Sequence, residues 1–229
     1  GSKCFISGAG STQVLVLMAR TGADGPKGIS CFAVPADLDG ISYGKKESKM
    51  GWNSQPTRTI SFDNCRVPAD CLVGDEGAGF KFAMKGLDGG RLNVATCSIG
   101  TAQAALNASV DYVKGRKQFG QAIADFQATQ FKLADMAVSL DAARLLAYRS
   151  AWLKDSGQET VIKEASFAKL FATEAASRII NESLQIHGGA GLEKGARIER
   201  LYREVRALTI YEGTSEIQRQ TIARQLLRE

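Results

Sequence analysis

The pattern of apolar and polar positions divides the chain into two parts. In the first part, residues 14–18 and 28–35 are apolar runs of strand length, and residues 57–62 alternate with a period of two. These runs are separated by Gly, Pro and Asp, and no long helical pattern lies between them. Such a pattern predicts antiparallel strands of a sheet or an open barrel.

From about Gly77 the apolar positions follow a helical period. Residues 80–114 are rich in Ala and Leu, and residues 126–155 carry one apolar stripe with a 3.6-residue repeat. A third helix is predicted over residues 159–186, and a short fourth one from about Thr214 to the end. Three long helices and one short helix joined by short loops predict an up-and-down four-helix bundle.

These patterns predict an α+β protein with two domains. Residues 1–75 would form the C-terminal part of an antiparallel β domain, and residues 76–229 the C-terminal four-helix up-and-down bundle. Opening directly on a strand pattern, the chain is expected to begin inside a domain rather than at a natural terminus.

Composition and charge exclude several classes of protein. Among 229 residues, 44% are apolar and 23% charged, which is typical of a folded globular chain, and no apolar run approaches the roughly 20 residues that span a bilayer. Membrane insertion is therefore not expected. The net charge is +5, but the basic residues are dispersed among acidic ones, so nucleic acid is not an expected partner. The densest basic stretch is interpreted as a solvated helix face with ion pairs; it contains Arg197, Arg200, Arg203 and Arg206.

The cysteine and histidine content argues against a metal site. There are five cysteines and one histidine, and no C-x-x-C pair occurs. This pattern fits neither a zinc site nor a disulfide framework, so a reducing compartment is the simplest interpretation.

The segment I-Y-E-G-T-S-E-I-Q-R at residues 210–219 has the features of a helix start. Gly213 permits a tight entry, Thr214 or Ser215 can cap the helix, and Ser215 with Gln218 fits a capping box. Glu212 would then lie on a loop just before a helix. Taken alone, a carboxylate in that place is usually solvated and stabilised by the helix dipole.

Two further motifs are also unremarkable in isolation. Residues 185–191, Q-I-H-G-G-A-G, are a glycine-rich helix end whose N–H groups also suit a phosphate, and residues 116–120, R-K-Q-F-G, are a basic helix end. Neither is a P-loop or the G-x-G-x-x-G of a nicotinamide fold. A lone histidine such as His187 is more often structural than catalytic.

In this order and spacing, however, the three motifs resemble the acyl-CoA dehydrogenase family, and the resemblance covers essentially the whole chain. Residues 3–7 look like the family's flavin-contacting strand, and residues 74–80 like its crossover from sheet to helix. Residues 49–57 are similar to members that act on short or branched acyl groups, isobutyryl-CoA dehydrogenases in particular. Gly195 departs from the pattern, which has an acidic residue or Asn there. The family's N-terminal helical domain and the start of its β domain have no counterpart, so the chain is expected to be N-terminally truncated.

The resemblance implies a function and a base. Glu212 would remove the α-proton of an acyl-CoA thioester while the β-hydrogen leaves as hydride to N5 of FAD. Some relatives carry the base on an earlier helix, at the position of Gly90, which has no side chain here. The alternatives are an acyl-CoA oxidase, or a non-catalytic helical fragment without bound flavin.

The resemblance also implies the binding residues and partners. The substrate would be contacted by Asp88, Gly89, Gly90, Arg91 and Arg224. FAD would be contacted by Phe5, Ile6, Ser7, Thr214, Ser215 and Glu216, and the FAD of a neighbouring subunit by Arg116, Phe126, Gln127, Gln185, Ile186, His187, Gly188 and Gly189. The expected assembly is a homodimer or a dimer of dimers such as a homotetramer, electrons would pass to an electron-transfer flavoprotein, and no metal is required. The expected location is the bacterial cytoplasm or the mitochondrial matrix.

Overall fold

A computed structural model describes residues 1–158 and 160–228 of the chain. The polypeptide forms two compact units, residues 1–86 and residues 87–229. The first unit carries five strands and the second carries most of the helices. The two units meet in sequence after residue 86, and the domain boundary predicted after residue 75 remains a prediction.

The first unit contains two small antiparallel sheets, as the alternation pattern predicts. Strands β1 (Ser2–Ser7), β5 (Thr57–Phe62) and β4 (Ile41–Tyr43) form one sheet in the order β1-β5-β4, while β2 (Val14–Arg20) pairs with β3 (Ile29–Pro35). The β2–β3 register runs without a break from Val14 opposite Pro35 to Arg20 opposite Ile29. The core of the unit is made of apolar side chains from both sheets and their loops, namely Ala9, Leu15, Val34, Ala36 and Ile60.

The entry into the first helix is fixed by close backbone packing. The Gly77 N–H donates to Ser30 Oγ at 2.9 Å, and a Cβ on Gly79 would lie 2.4 Å from the carbonyl carbon of Ser30. Because no side chain fits in that space, glycine is required where helix α1 begins against β3.

The second unit is the predicted helical bundle with additional short elements. The long helices are α1 (Gly79–Gly115), α2 (Gln127–Asp155) and α3 (Ile162–His187), followed by the short α4 (Gly189–Leu192), α5 (Arg197–Val205) and α6 (Ser215–Leu226). A two-residue hairpin, β6 (Lys117–Gln118) with β7 (Gln121–Ala122), joins α1 to α2. The third helix begins at Ile162, and its predicted start at residue 159 lies outside the described residues. The arginine-rich stretch forms α5, on which Glu199 pairs with Arg203 at 2.5 Å, as the ion-pair interpretation predicts.

Small side chains set the spacing of the three long helices. A cluster of buried alanines lies where they meet: Ala95 on α1, Ala143 and Ala147 on α2, and Ala168 and Ala172 on α3. Near the far end of α1, Ser109 Oγ and Ser183 Oγ share a buried hydrogen bond of 2.6 Å. The alanines let the backbones approach closely, and the serine pair satisfies polar atoms that water cannot reach.

Candidate functional site

Glu212 lies on a strained turn between the 3-10 turn at Arg206–Thr209 and helix α6. Its φ is +56°, and that of Gly213 is +90°. A residue with a side chain pays about 1–2 kcal/mol to adopt left-handed backbone, so neighbouring contacts must stabilise Glu212 in this conformation.

The cap of α6 differs in part from the sequence prediction. Thr214 is the N-cap, and its Oγ1 accepts from the Ile217 N–H at 3.3 Å, whereas Ser215 is already helical. The predicted capping box of Ser215 with Gln218 is therefore wrong. Gln218 Nε2 instead donates to the carbonyls of Glu212 and Gly213, both at 3.1 Å, because the tight turn brings these two carbonyls back over the first turn of the helix.

A lysine also holds this turn. Lys169, in the middle of α3, is fully buried, and its Nζ donates to the Gly213 carbonyl at 2.7 Å. Burial lowers the pKa of Lys169 to about 8, although the nearby Glu212 carboxylate favours the charged form. Two buried donors, from α3 and α6, therefore converge on the backbone of the Glu212 turn.

The Glu212 carboxylate lies directly against Gly90 of α1. A Cβ on Gly90 would be 2.4 Å from Glu212 Oε2 and 2.9 Å from Cδ. The carboxylate thus occupies the space that a side chain at position 90 would need. Two positions far apart in sequence meet at one point in the helical unit, and only one of them carries a side chain.

Charged groups surround this point. Arg91 is buried and donates to Asp88 Oδ1 at 3.1 Å. Burial raises the pKa of Asp88, while Arg91 and Lys154 oppose that rise. Burial also raises the pKa of Tyr211 to about 12, with smaller contributions from Cys97 and Glu212. Of the predicted substrate residues, Asp88, Gly90 and Arg91 therefore lie close to Glu212 or to its charged neighbours, and Gly89 lies between them on the same helix turn.

Arg224 lies apart from this cluster. It is exposed in the last turn of α6, nine residues after Ser215. At 1.5 Å per residue this places it about 14 Å along the helix axis from the start of α6.

The start of α6 borders a cavity of about 350 Å³. Thr214, Ser215 and Glu216 line it together with Arg206 and Glu174. The pKa of Glu216 is lowered by hydrogen bonds, first from its own backbone N–H and then from the Thr214 hydroxyl. The three residues predicted to contact a dinucleotide are thus brought to one cavity.

A second cavity, of about 520 Å³, brings together residues of the other two motifs. Phe126, Gln185 and Ile186 line it with Phe119. Phe119 is 93% exposed, has a φ of +53°, and meets Phe126 edge to face at 6.3 Å between ring centroids. Arg116 and Gln127 are exposed on the adjoining segments.

His187 is held by contacts at the end of α3. Its ring stacks on Tyr112 with 4.4 Å between centroids, and its Nδ1 lies 2.7 Å from the Ser183 carbonyl, which can only accept. Nδ1 therefore carries the proton in this contact. Gly188, with a φ of +57°, then ends α3, and Gly189 begins α4.

The remaining predicted flavin residues belong to the β unit. Phe5 is 76% exposed with a φ of +54°, at an irregularity in the β1–β5 register between Lys3 and Ile6. Ile6 packs against the core of this unit, and Ser7 pairs with Thr57. The irregular register turns the large Phe5 side chain outward instead of into the core.

Lys169 is a functional candidate that no sequence motif indicated, and Gln218 bonds the carbonyls of Glu212 and Gly213 instead of the predicted Ser215. A lysine at a helical position is ordinarily expected on the surface, so only the apolar small residues around it, such as Ala165, Ala168 and Ala172, hinted that this face is buried. Among residues 1–158 and 160–228, no cluster of three His, Cys, Asp or Glu side chains could hold a metal ion. In the same residues, every helix is too short or too polar to cross a membrane.

Comparison with known proteins agrees with the resemblance. Residues 1–65 match the family described as acyl-CoA dehydrogenase, middle domain, and residues 77–227 match acyl-CoA dehydrogenase, C-terminal domain. The chain is 49% identical to mitochondrial isobutyryl-CoA dehydrogenase of Bos taurus over all of its own length and 55% of that protein. It is 48% identical to 3-(aryl)acrylate reductase of Clostridium sporogenes, over all of its own length and 60% of that protein.

A solved structure shows the same fold. Butyryl-CoA dehydrogenase from Megasphaera elsdenii superposes with a TM-score of 0.96 at 41% identity, covering all of this chain and 60% of that one. The chain spans little more than half the length of these relatives. With both of its segments matching the middle and C-terminal domains and its fold matching a solved member, the chain belongs to the acyl-CoA dehydrogenase family.

Proposed function

We propose that the full polypeptide containing this chain catalyses the flavin-dependent α,β-dehydrogenation of a short or branched acyl-CoA thioester, with Glu212 as the base. Three observations support the proposal: membership of the family, the similarity to an isobutyryl-CoA dehydrogenase, and the geometry at Glu212. The geometry carries the most weight because it concerns the reacting group itself.

The packing of Glu212 over Gly90 suits a base. The carboxylate is held at a point where α1 presents only a Cα, so a substrate carbon can approach without competition from a second side chain. The backbone of the Glu212 turn is held by hydrogen bonds from Lys169 to the Gly213 carbonyl and from Gln218 to the Glu212 carbonyl. A base positioned in this way can accept the α-proton, and the Glu212 N–H is the expected donor to the thioester oxygen, where negative charge develops.

The residues present fit the FAD that the family uses. Thr214, Ser215 and Glu216 would hold the dinucleotide at the start of α6, where helix N–H groups and Arg206 favour phosphate. Phe5, Ile6 and Ser7 would contact the flavin ring of the same subunit. The chemistry that FAD supplies when bound is acceptance of the β-hydrogen as hydride.

A neighbouring subunit would complete the cofactor site. The aromatic cavity lined by Phe126, Gln185 and Ile186 offers flat apolar surface for part of a neighbour's FAD, with Arg116, Gln127, His187, Gly188 and Gly189 around it. The functional unit would then be a homodimer or a dimer of dimers. The domain boundary of the polypeptide would lie near residue 75, where the β motif ends.

The same site implies the remaining partners. Asp88, Gly89, Gly90 and Arg91 would line the acyl-CoA near Glu212, and the exposed Arg224 would meet the substrate farther from the reacting carbons. The electron acceptor would be an electron-transfer flavoprotein, and the location the bacterial cytoplasm or the mitochondrial matrix. One relative is a 3-(aryl)acrylate reductase, so the relatives of this chain include an enzyme named for a reduction as well as dehydrogenases.

The test is Glu212→Gln in the full polypeptide, with reduction of bound flavin followed by its loss of visible absorbance after mixing with isobutyryl-CoA. Acyl-CoA binding should persist, whereas flavin reduction should fall by roughly 10³-fold or more because the amide cannot accept a proton. Replacement of the exposed Glu193 by Gln is the matched control and should leave the rate unchanged. Near-normal bleaching by the Glu212→Gln variant would contradict the assignment.

The two alternatives have distinct signatures in the same assay. Rapid peroxide formation under turnover would favour an acyl-CoA oxidase. A protein with no visible flavin band after incubation with FAD would be the non-catalytic form. Family membership and the relatives support the dehydrogenase over both.

A further inference from the structure

Lys169 is a buried cation, and the mechanism above uses its hydrogen bond without explaining why a charged side chain supplies it. Its side chain is fully inaccessible to solvent in the middle of α3, a position where lysine is seldom found without a partner. The partner in this structure is a backbone carbonyl, that of Gly213, at 2.7 Å. A buried ammonium bonded to a peptide carbonyl gives a strong, charge-assisted hydrogen bond, and it is directed at the residue after the proposed base.

The Gly213 carbonyl belongs to the turn that sets the direction of Glu212. Both Glu212 and Gly213 have left-handed backbone, and a Cβ on Gly213 would lie 2.6 Å from Gln218 Nε2. Gln218 bonds both carbonyls of the turn, but it comes from α6, the helix that follows the turn. Lys169 is the donor from α3, and it therefore ties the turn to a separate element.

The charges that act on Lys169 come from the Glu212 turn and from three helices. Glu212 on the turn, Glu216 on α6 and Glu174 on α3 favour its charged form, whereas Arg91 on α1 opposes it. Asp88 forms the next layer, through its hydrogen bond from Arg91 and its charge interaction with Lys154. Glu212 has the largest of the charge interactions with Lys169, so its carboxylate is the main group that favours the charged form of Lys169.

We propose that Lys169 is a positioning residue for the base: its ammonium, bonded to the Gly213 carbonyl, holds the Glu212 turn in its left-handed conformation and so keeps the Glu212 carboxylate in place over Gly90. This inference rests on the proposed function, because it gives Lys169 a role through Glu212. It touches no substrate atom, so its effect should be on turnover rather than on substrate binding.

The experiment compares Lys169→Met with Lys169→Arg in the full polypeptide loaded with FAD. Met removes both the donor and the charge at similar length, whereas Arg retains both. For Lys169→Met we expect kcat to fall about 10- to 100-fold with KM within about threefold, since positioning of the base is lost while the substrate contacts remain. Lys169→Arg should restore most of the rate, because it keeps both the donor and the charge.

A double-mutant comparison separates this role from a merely structural one. If Lys169 acts through Glu212, Lys169→Met should cause no further loss of flavin reduction in a Glu212→Gln background. A kcat within twofold of wild type in Lys169→Met would overturn the proposal, as would a full further loss in the Glu212→Gln background.

Two further outcomes are assigned in advance. Should Lys169→Met lack a cooperative melting transition, Lys169→Arg decides: a kcat within about threefold of wild type at an unchanged KM supports the proposal, and a kcat loss of about 10-fold or more in a folded protein overturns it. The proposed function fails separately, through normal flavin reduction by Glu212→Gln with Lys169 intact. If Lys169→Met has a wild-type rate while Glu212→Gln is inactive, only the role proposed for Lys169 is overturned.

Discussion

Replacing Gly90 by alanine should make the helix more stable and the enzyme slower. The added Cβ would lie 2.4 Å from Glu212 Oε2, whereas ordinary van der Waals contact begins near 3.4 Å. The carboxylate must therefore retreat by about 1 Å. Since it is the end of a flexible side chain, it can do so without disturbing the backbone. A displacement of about 1 Å at a reacting group costs on the order of 10²-fold in rate.

Stability should change in the opposite direction. Alanine is favoured over glycine inside a helix by about 0.8–1 kcal/mol, so Gly90→Ala should raise the free energy of unfolding by up to that amount. Gly100→Ala is the matched control on the same helix, since its Cβ would meet no described atom within 4 Å. It should stabilise the protein similarly and leave the rate unaltered.

The assay is turnover of isobutyryl-CoA with an artificial electron acceptor, alongside urea denaturation of all three proteins. Wild-type turnover in Gly90→Ala would refute the conclusion that Glu212 must occupy this space to react. An equal loss of turnover in Gly100→Ala would show that helix α1, and not the contact with Glu212, is responsible.

Two further predictions concern stability. Ala172→Leu should lower the free energy of unfolding by about 1–3 kcal/mol, because the Ala172 side chain is 1% exposed among alanines of three helices. Leucine at the exposed Ala223 should change the free energy of unfolding little. Comparable urea midpoints for the two variants would contradict this packing. The pKa of Lys169 is about 8 in the folded protein, against an ordinary value of 10.5. Between those pH values the Lys169 amine binds fewer protons in the folded protein than in the unfolded chain. Lys169 should therefore add stability as the pH rises through that window, by at most about 3 kcal/mol. That gain should be absent from Lys169→Met when urea unfolding is compared at pH 7.5 and 10.5, and an identical pH dependence in both proteins would argue against a buried, titrating Lys169.

The sequence alone determined the main helices and strands and the position of the proposed base along the chain. The period-two run at residues 57–62 and the helical stripe at residues 126–155 are local properties, because burial of one face repeats at the period of the element. Turn chemistry is local as well, so Gly213 and Thr214 were enough to place Glu212 on a loop before a helix. The family motifs then supplied a role that no local pattern contains.

Only the tertiary structure decided what surrounds Glu212. Its carboxylate meets Gly90, 122 positions earlier, and its turn is held by Lys169 from a different helix. A helical period shows that one face is buried but not which polar side chain on that face finds a partner. That depends on where a carbonyl of another element comes to rest. The same reason explains the error at Gln218: its spacing fits a capping box, yet the left-handed turn before the helix brought two carbonyls within its reach, and these bonds formed instead.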